Sequence, residues 1–439
     1  MTEQTATHKE FADANGIDLD QVGPFSMQEF QAELERVVFD ESVPHPIPRE
    51  KRDPYIADFV AGKPFAIGQF SDETVDLKQY ASAQEYSQYT LEEHLSWACL
   101  VAQQQKTKHE FACREYLKGE ALFEIGSAMI PNYYLLNARI FQQTGWQLAT
   151  VSEIIPAELF FTCHSRRFFP VTTFMRPLGT DYLEEPDIGH DVAGHVATFT
   201  IPAVANVMQF HGKARDLIYE LRDKEREGVS DPVEIQSINL RAEQLLAHAG
   251  RIYWFTVEFG LVMQDGAVRD FGAGILSSPG ETKYSIQNDE SNRILIDPQL
   301  DADLLRLANT DYLISEYQKT YFVSESFDRL NSITPERILS ASQKAMCLPD
   351  FTWREIVPGD QVLNVGTVAT SVNEKYYRLM ADQEMDDCLR RTAIANLGRY
   401  ADGFDVKLME QFRVAPPLPP EKALAWFAKN RPQLETASS

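Results

Sequence analysis

Cysteine is scarce in this chain. Five occur in 439 residues, at positions 99, 113, 163, 347 and 388, with no CxxC pair. That excludes a disulfide-stapled secreted module and a zinc site built on paired thiolates. Positive charge is also short: 41 basic side chains face 65 acidic ones, for a net charge of −24. So acidic a chain lacks the basic face that nucleic acid requires, and anionic lipid surfaces repel it. No run of eighteen apolar residues suggests a membrane span. The opening stretch, MTEQTATHKEFADANG, has neither the basic start nor the apolar core of a secretory signal. Internal repeats are missing as well. What remains is the composition of an ordinary globular protein, 44% apolar and 24% charged. These absences point to a cytoplasmic protein without nucleic acid or membrane partners, and leave small substrates open.

The texture changes along the chain. Residues 1–88 carry 17 acidic and 7 basic side chains, and prolines cluster in SVPHPIPREKRDP at 42–54. We expect an acidic N-terminal extension there, mobile over its first twenty residues, with one amphipathic helix at 25–39. From residue 89 helices dominate, opening with Thr90 and Glu93 in a capping-box spacing. WQLATV (146–151) and AVRDFGAG (267–274) read as short strands. Residues 331–439 read as a helix-rich C-terminal region: a capped helix at TPERILSASQKAM, a strand pair around 361–372, a long helix from EKYYRLM, a stiff VAPPLPP linker and a last short helix. The expected fold class is mainly α with a minor β component, with a central domain over 89–330.

Two stretches stand out chemically. EEPDIGHDVAGH (184–195) places His190 and His195, two of only nine histidines, five apart in an acidic segment. Pro186 suits the first turn of a helix. On an ideal α-helix a spacing of five separates two side chains by about 140°, worse than the spacing of four in HExxH. Spacing alone leaves a polar helix start and a metal site both open. The second stretch, IYWFTVEFGLVM (252–263), has one charged residue, Glu258. A carboxylate in so apolar a segment must be paired or bound, since burying it alone costs several kcal/mol, roughly. A salt bridge to Arg251 or Arg176 is one reading, and a third metal ligand is the other. Two histidines with one carboxylate form the facial set of non-haem Fe(II) oxygenases.

With these motifs the chain resembles the tetrahydrobiopterin-dependent aromatic amino acid hydroxylases, the bacterial phenylalanine 4-hydroxylases most of all. YTLEEH, ACREYL, TGWQL, RRFFPVTTFMR, DYLEEPDIGHDVAGHV, IYWFTVEFGL, FGAGILSSPGE and YFVSESF carry the resemblance, in order across 89–330. It implies a hydroxylase-like catalytic domain between N- and C-terminal extensions. His190, His195 and Glu258 would be its Fe(II) ligands. Arg176 would bind the substrate carboxylate, and Trp254, Ser277 and Ile314 would line the amino acid site. Phe160 would stack on the tetrahydropterin and Asp191 would face it, while Asp187 would orient a ligand histidine from behind. The implied activity is a monooxygenase using O2, Fe(II) and a reduced tetrahydropterin such as tetrahydrobiopterin on a free aromatic amino acid. L-Phenylalanine to L-tyrosine is the first expectation. Tryptophan, meta-hydroxylation or a silent metal-binding regulatory protein are the alternatives.

The chain departs from the family pattern at Gly189, where a larger residue is usual, and at ATFT (197–200) and Pro279. It is also one residue short between Arg176 and Asp181. These departures put ring position in doubt more than metal binding.

Overall fold

The computed structural model describes residues 3–23 and 80–371, apart from 83, 127–128, 153, 181–182, 184, 347–349 and 358–359. The expected helix at 25–39, and the long helix, proline linker and final helix beyond 371, lie outside these residues. The chain divides into two compact units. The first takes residues 1–216, 257–259 and 267–286, and the second takes 217–256, 260–266 and 287–439.

The first unit is built on the helix Leu91–Phe111. It starts as expected: the Thr90 side chain accepts from the Glu93 N–H, and the Glu93 carboxylate accepts from the Thr90 N–H in return. The expected mobile start is instead a helix, Glu3–Asn15, followed by a 3-10 turn at Leu19–Gln21. Ala12 is buried against Leu95 and Cys99, with Phe11, Ile17, Leu19, Val22 and Leu178 packed around them. Apolar partners some eighty residues away hold this helix, and they leave little periodic pattern in the segment itself.

A strand–helix–strand unit follows. Gln147–Thr150 pairs in parallel with Phe168–Val171, and the helix Ala157–Ser165 forms the crossover. The strand predicted at 146–151 is therefore present. At 267–274 the strand stops at Asp270, and Ala273–Leu276 is helical. The Asp270 carbonyl is held by the Cys113 N–H at 2.8 Å, and the chain then turns at Gly272, which caps the short helix.

In the second unit, Gly260–Gln264 and Asn292–Ile296 flank Thr320–Ser324 in parallel, and Gln361–Asn364 adds antiparallel to Asn292–Ile296. The pair expected within 361–372 does not form. Its second half, Thr370–Ser371, pairs instead with Glu355–Ile356. The helix Pro335–Ala345 begins at Thr334, whose hydroxyl accepts from the Arg337 N–H. Among the described residues, no helix is long and apolar enough to cross a membrane.

Candidate metal centre

The backbone resolves the five-residue spacing. Asp187 caps a short helical turn, Ile188–His190, by accepting the His190 N–H at 2.9 Å. The chain then widens into a π-helix over Asp191–His195 and tightens into a 3-10 turn over Val196–Thr200. In a π-helix the hydrogen bonds run from i to i+5, so residues five apart lie nearer one face than on an α-helix. The pitch change turns an unfavourable α spacing into a convergent one. Trp254–Glu258 is π-helical as well. Gly194 permits the close approach of the next segment: a Cβ there would sit 2.6 Å from the Ala273 carbonyl oxygen.

The three side chains meet. His195 Nε2 lies 3.2 Å from His190 Nε2 and 3.1 Å from Glu258 Oε1, and His190 Nε2 lies 3.6 Å from Glu258 Oε2. Among the described residues, this is the one group of three or more His, Cys, Asp or Glu side chains placed to hold a metal ion. Donors at adjacent corners of an octahedron with bonds of about 2.1 Å are about 3 Å apart, so the spacing fits one ion with three coordination positions left for other ligands.

Protonation fits as well. Ser277 Oγ–H donates to the Gly274 carbonyl at 3.0 Å, so its oxygen accepts from His190 Nδ1–H at 3.1 Å. That fixes the tautomer and leaves the Nε2 lone pair aimed at the cluster. Burial pushes His190 down to about 4, which keeps the ring neutral and able to ligate. Burial alone would raise Glu258, but His195 and His190 beside it hold the carboxyl below its ordinary value. A salt bridge from Glu258 to Arg251 or Arg176 does not form. Arg251 pairs with Asp350 at 2.7 Å, and Arg176 pairs with Asp187.

The other residues singled out in the sequence fall into place around this cluster or away from it. Arg176 and Asp187 form a buried bidentate pair, with Nε to Oδ2 at 2.8 Å and Nη2 to Oδ1 at 2.7 Å. Asp187 therefore acts on the backbone of His190 and on Arg176, not on the histidine ring. Ser277 contacts a ligand directly, and Gln104 pins its carbonyl at 2.9 Å. Asp191 is buried, and Thr172 donates to its Oδ2 from both N and Oγ1, at 2.6 and 2.9 Å. Burial raises this carboxyl to about 7 despite those bonds.

Phe160 is part-buried and lies 4.2 Å, centroid to centroid, from His164. Trp254 and Ile314 belong to the second unit. There Trp254 stacks on Tyr312 at 4.0 Å and donates from Nε1 to Gln318 at 3.1 Å, while Ile314 is exposed. The space a larger residue would take at Gly189 is filled: a Cβ would meet Leu100 Cδ2 at 2.4 Å.

Sequence reasoning missed His164 and Thr172. His164 is fully buried beside Phe160 and Phe169, its Nδ1 bonds the Phe160 carbonyl at 2.8 Å, and burial lowers it to about 3. A lone histidine and a lone threonine give no spacing signal, so neither was legible in advance.

The chain has known relatives. The model of the biopterin-dependent aromatic amino acid hydroxylases matches residues 68–215 and 218–337. The chain belongs to that family. Among curated hydroxylases of the family, phenylalanine-4-hydroxylase of Chromobacterium violaceum is 32% identical over 292 residues, 66% of this chain and 89% of that protein. The enzyme of Ralstonia nicotianae is 34% identical over 289 residues, 66% of this chain and 83% of that one. Solved structures of the Chromobacterium hydroxylase match too. One with iron(III) and oxidised 7,8-dihydrobiopterin aligns with a TM-score of 0.54 at 32% identity, covering 66% of this chain and 94% of that one. Another, with iron and phenylalanine, aligns with a TM-score of 0.55 at 31% identity, covering 66% and 96%.

Proposed function

We propose that this protein is an iron- and tetrahydropterin-dependent phenylalanine 4-monooxygenase of the cytoplasm. The observation that carries the proposal is the facial set of His190, His195 and Glu258, with the His190 tautomer fixed by Ser277. Bound there, Fe(II) and a reduced tetrahydropterin supply the activation of O2 and the electrons needed to put one oxygen atom into an aromatic ring.

The chain supplies position and electrostatics. His190 presents a neutral nitrogen, His195 a second ring nitrogen, and Glu258 a carboxylate. Arg176 takes the carboxylate of the amino acid, its guanidinium held in one orientation by Asp187. Phe160 offers a flat ring for the pterin, and Asp191 a polar group held in place by Thr172. Ser277 serves the metal ligand rather than the substrate ring. Trp254, a bulky ring, and Ile314, an apolar side chain, set the choice of amino acid. The Trp254 ring leaves less room for an indole, and the Ile314 side chain offers a phenolic hydroxyl no polar partner. The departure at Gly189 adds no room for a tilted ring because Leu100 occupies it, which supports para over meta attack.

The test is product analysis. Metal-free protein is reloaded with Fe(II), supplied with a reduced tetrahydropterin, and offered phenylalanine, tyrosine and tryptophan, with products separated by chromatography. Para-tyrosine from phenylalanine is expected. Higher kcat/KM for tryptophan would overturn the substrate choice, and meta-tyrosine as the main product would overturn the ring position. Near-stoichiometric iron in His190→Ala, His195→Ala and Glu258→Ala would overturn the ligand set.

A further inference from the structure

Lys108 is a lysine with almost no access to water. It is 1% exposed, near the end of the helix Leu91–Phe111, on the buried stripe of Val101, Gln104 and Phe111. Lysine is rarely buried unless paired. Its ammonium donates to Glu120 Oε1 at 2.7 Å, from the following helix Arg114–Leu122. It also donates to the Ala193 carbonyl oxygen, again at 2.7 Å. The Tyr116 hydroxyl donates to that same oxygen, and the Lys108 ammonium sits 5.1 Å from the centre of the Tyr116 ring.

Ala193 lies in the π turn, between His190 and His195. A backbone that changes from π to 3-10 pitch within ten residues turns some carbonyls away from donors of their own helix. The Ala193 carbonyl here receives two side-chain donors, one of them charged. A charge-assisted bond is roughly twice as strong as a neutral one.

We infer that Lys108 and Tyr116 are positioning residues for the metal centre: by clamping the Ala193 carbonyl they hold the π turn that brings His190 and His195 onto one ion. Glu120 keeps the buried ammonium neutralised. The inference rests on His190 and His195 being metal ligands.

The test uses full-length, metal-free protein titrated with Co(II), followed by its d–d absorption, with a thermal melt of each variant. Lys108→Met/Glu120→Gln removes the donor without leaving a lone charge, and Tyr116→Phe removes one hydroxyl. Losing a partner that orients a ligand typically weakens metal binding by about 10–100-fold. We expect Lys108→Met/Glu120→Gln to bind Co(II) weaker by that factor with a changed absorption envelope. Tyr116→Phe should show a smaller loss in the same direction. A purely structural role would lower the melting temperature and leave affinity and spectrum as in wild type, and that result overturns the inference. If the double variant does not fold, Tyr116→Phe decides alone, and wild-type affinity and spectrum in it overturn the inference. His190→Ala is titrated alongside. If it loses Co(II) while both clamp variants bind normally, the clamp falls and the ligand reading stands. If it retains Co(II), the ligand reading falls and the clamp with it.

Discussion

Replacing Asp187 with asparagine isolates the buried ion pair behind the metal centre. Asp187 has no exposed surface and Arg176 is 4% exposed. The carboxylate accepts four bonds: from Arg176 Nε, Nη2 and N, and from His190 N. Asparagine keeps an oxygen for the helix cap, so the cap loss of about 0.5–2 kcal/mol seen with alanine is largely avoided. What it removes is the charge, leaving the Arg176 guanidinium buried without its partner. Breaking such a pair costs about 3–5 kcal/mol, while replacing both partners is often close to neutral. Asp187→Asn should therefore lose about 3–5 kcal/mol, and Arg176→Met/Asp187→Asn should be more stable than Asp187→Asn alone. Urea unfolding of the metal-free protein, read by tryptophan fluorescence in a double-mutant cycle, measures this, with a coupling of at least about 2 kcal/mol expected. A loss below about 1 kcal/mol in Asp187→Asn, or a double variant weaker than both singles, would refute the reasoning. Phenylalanine binding separates the roles: if Arg176 takes the substrate carboxylate as proposed, Arg176→Met should abolish binding in protein that remains folded.

Other outcomes follow from the same geometry. Ser277→Ala frees the His190 tautomer and should weaken Fe(II) binding by about 10–100-fold in a chelator competition, with little change in fold. Gly189→Ala forces a methyl onto Leu100 and should cost about 1–3 kcal/mol in urea unfolding, and Leu100→Ala in the same chain should restore part of that. His164 is held down at about 3, below the ordinary histidine value of about 6.5, so the unfolded chain binds the extra proton between these pH values. Its contribution to stability is complete above about pH 6.5 and is lost as pH falls toward 3. Removing it in His164→Leu should flatten the stability–pH slope by about 1.4 kcal/mol per pH unit in that window.

Some of this was legible in residue order, for definite reasons. Thr90, Glu93 and Thr334 announce helix starts because capping is local chemistry within four residues. Glu258 announces a site because one carboxylate in an apolar run has few physical explanations. The convergence of His190 with His195 was obscured because an α-helix was the reference and the segment is π-wound. What faces Gly189 was not legible, since Leu100, which a side chain there would meet, lies on a different helix. Gln361–Asn364 was matched to the wrong partner because its strand neighbour, Asn292–Ile296, is remote in the chain. The docked helix Glu3–Asn15 escaped notice for the same reason, its apolar contacts being distant.

That docked helix bears on how the protein can be trimmed. The family match begins at residue 68, which invites shortening the gene at that point. Shortened there, the protein would present Leu95, Cys99 and Leu178 to water, since Phe11, Ala12, Ile17, Leu19 and Val22 now pack around them. It would also free Gln103, which binds Asn15 at 3.0 Å. A newly bared greasy face beside a thiol favours clumping and oxidation of Cys99.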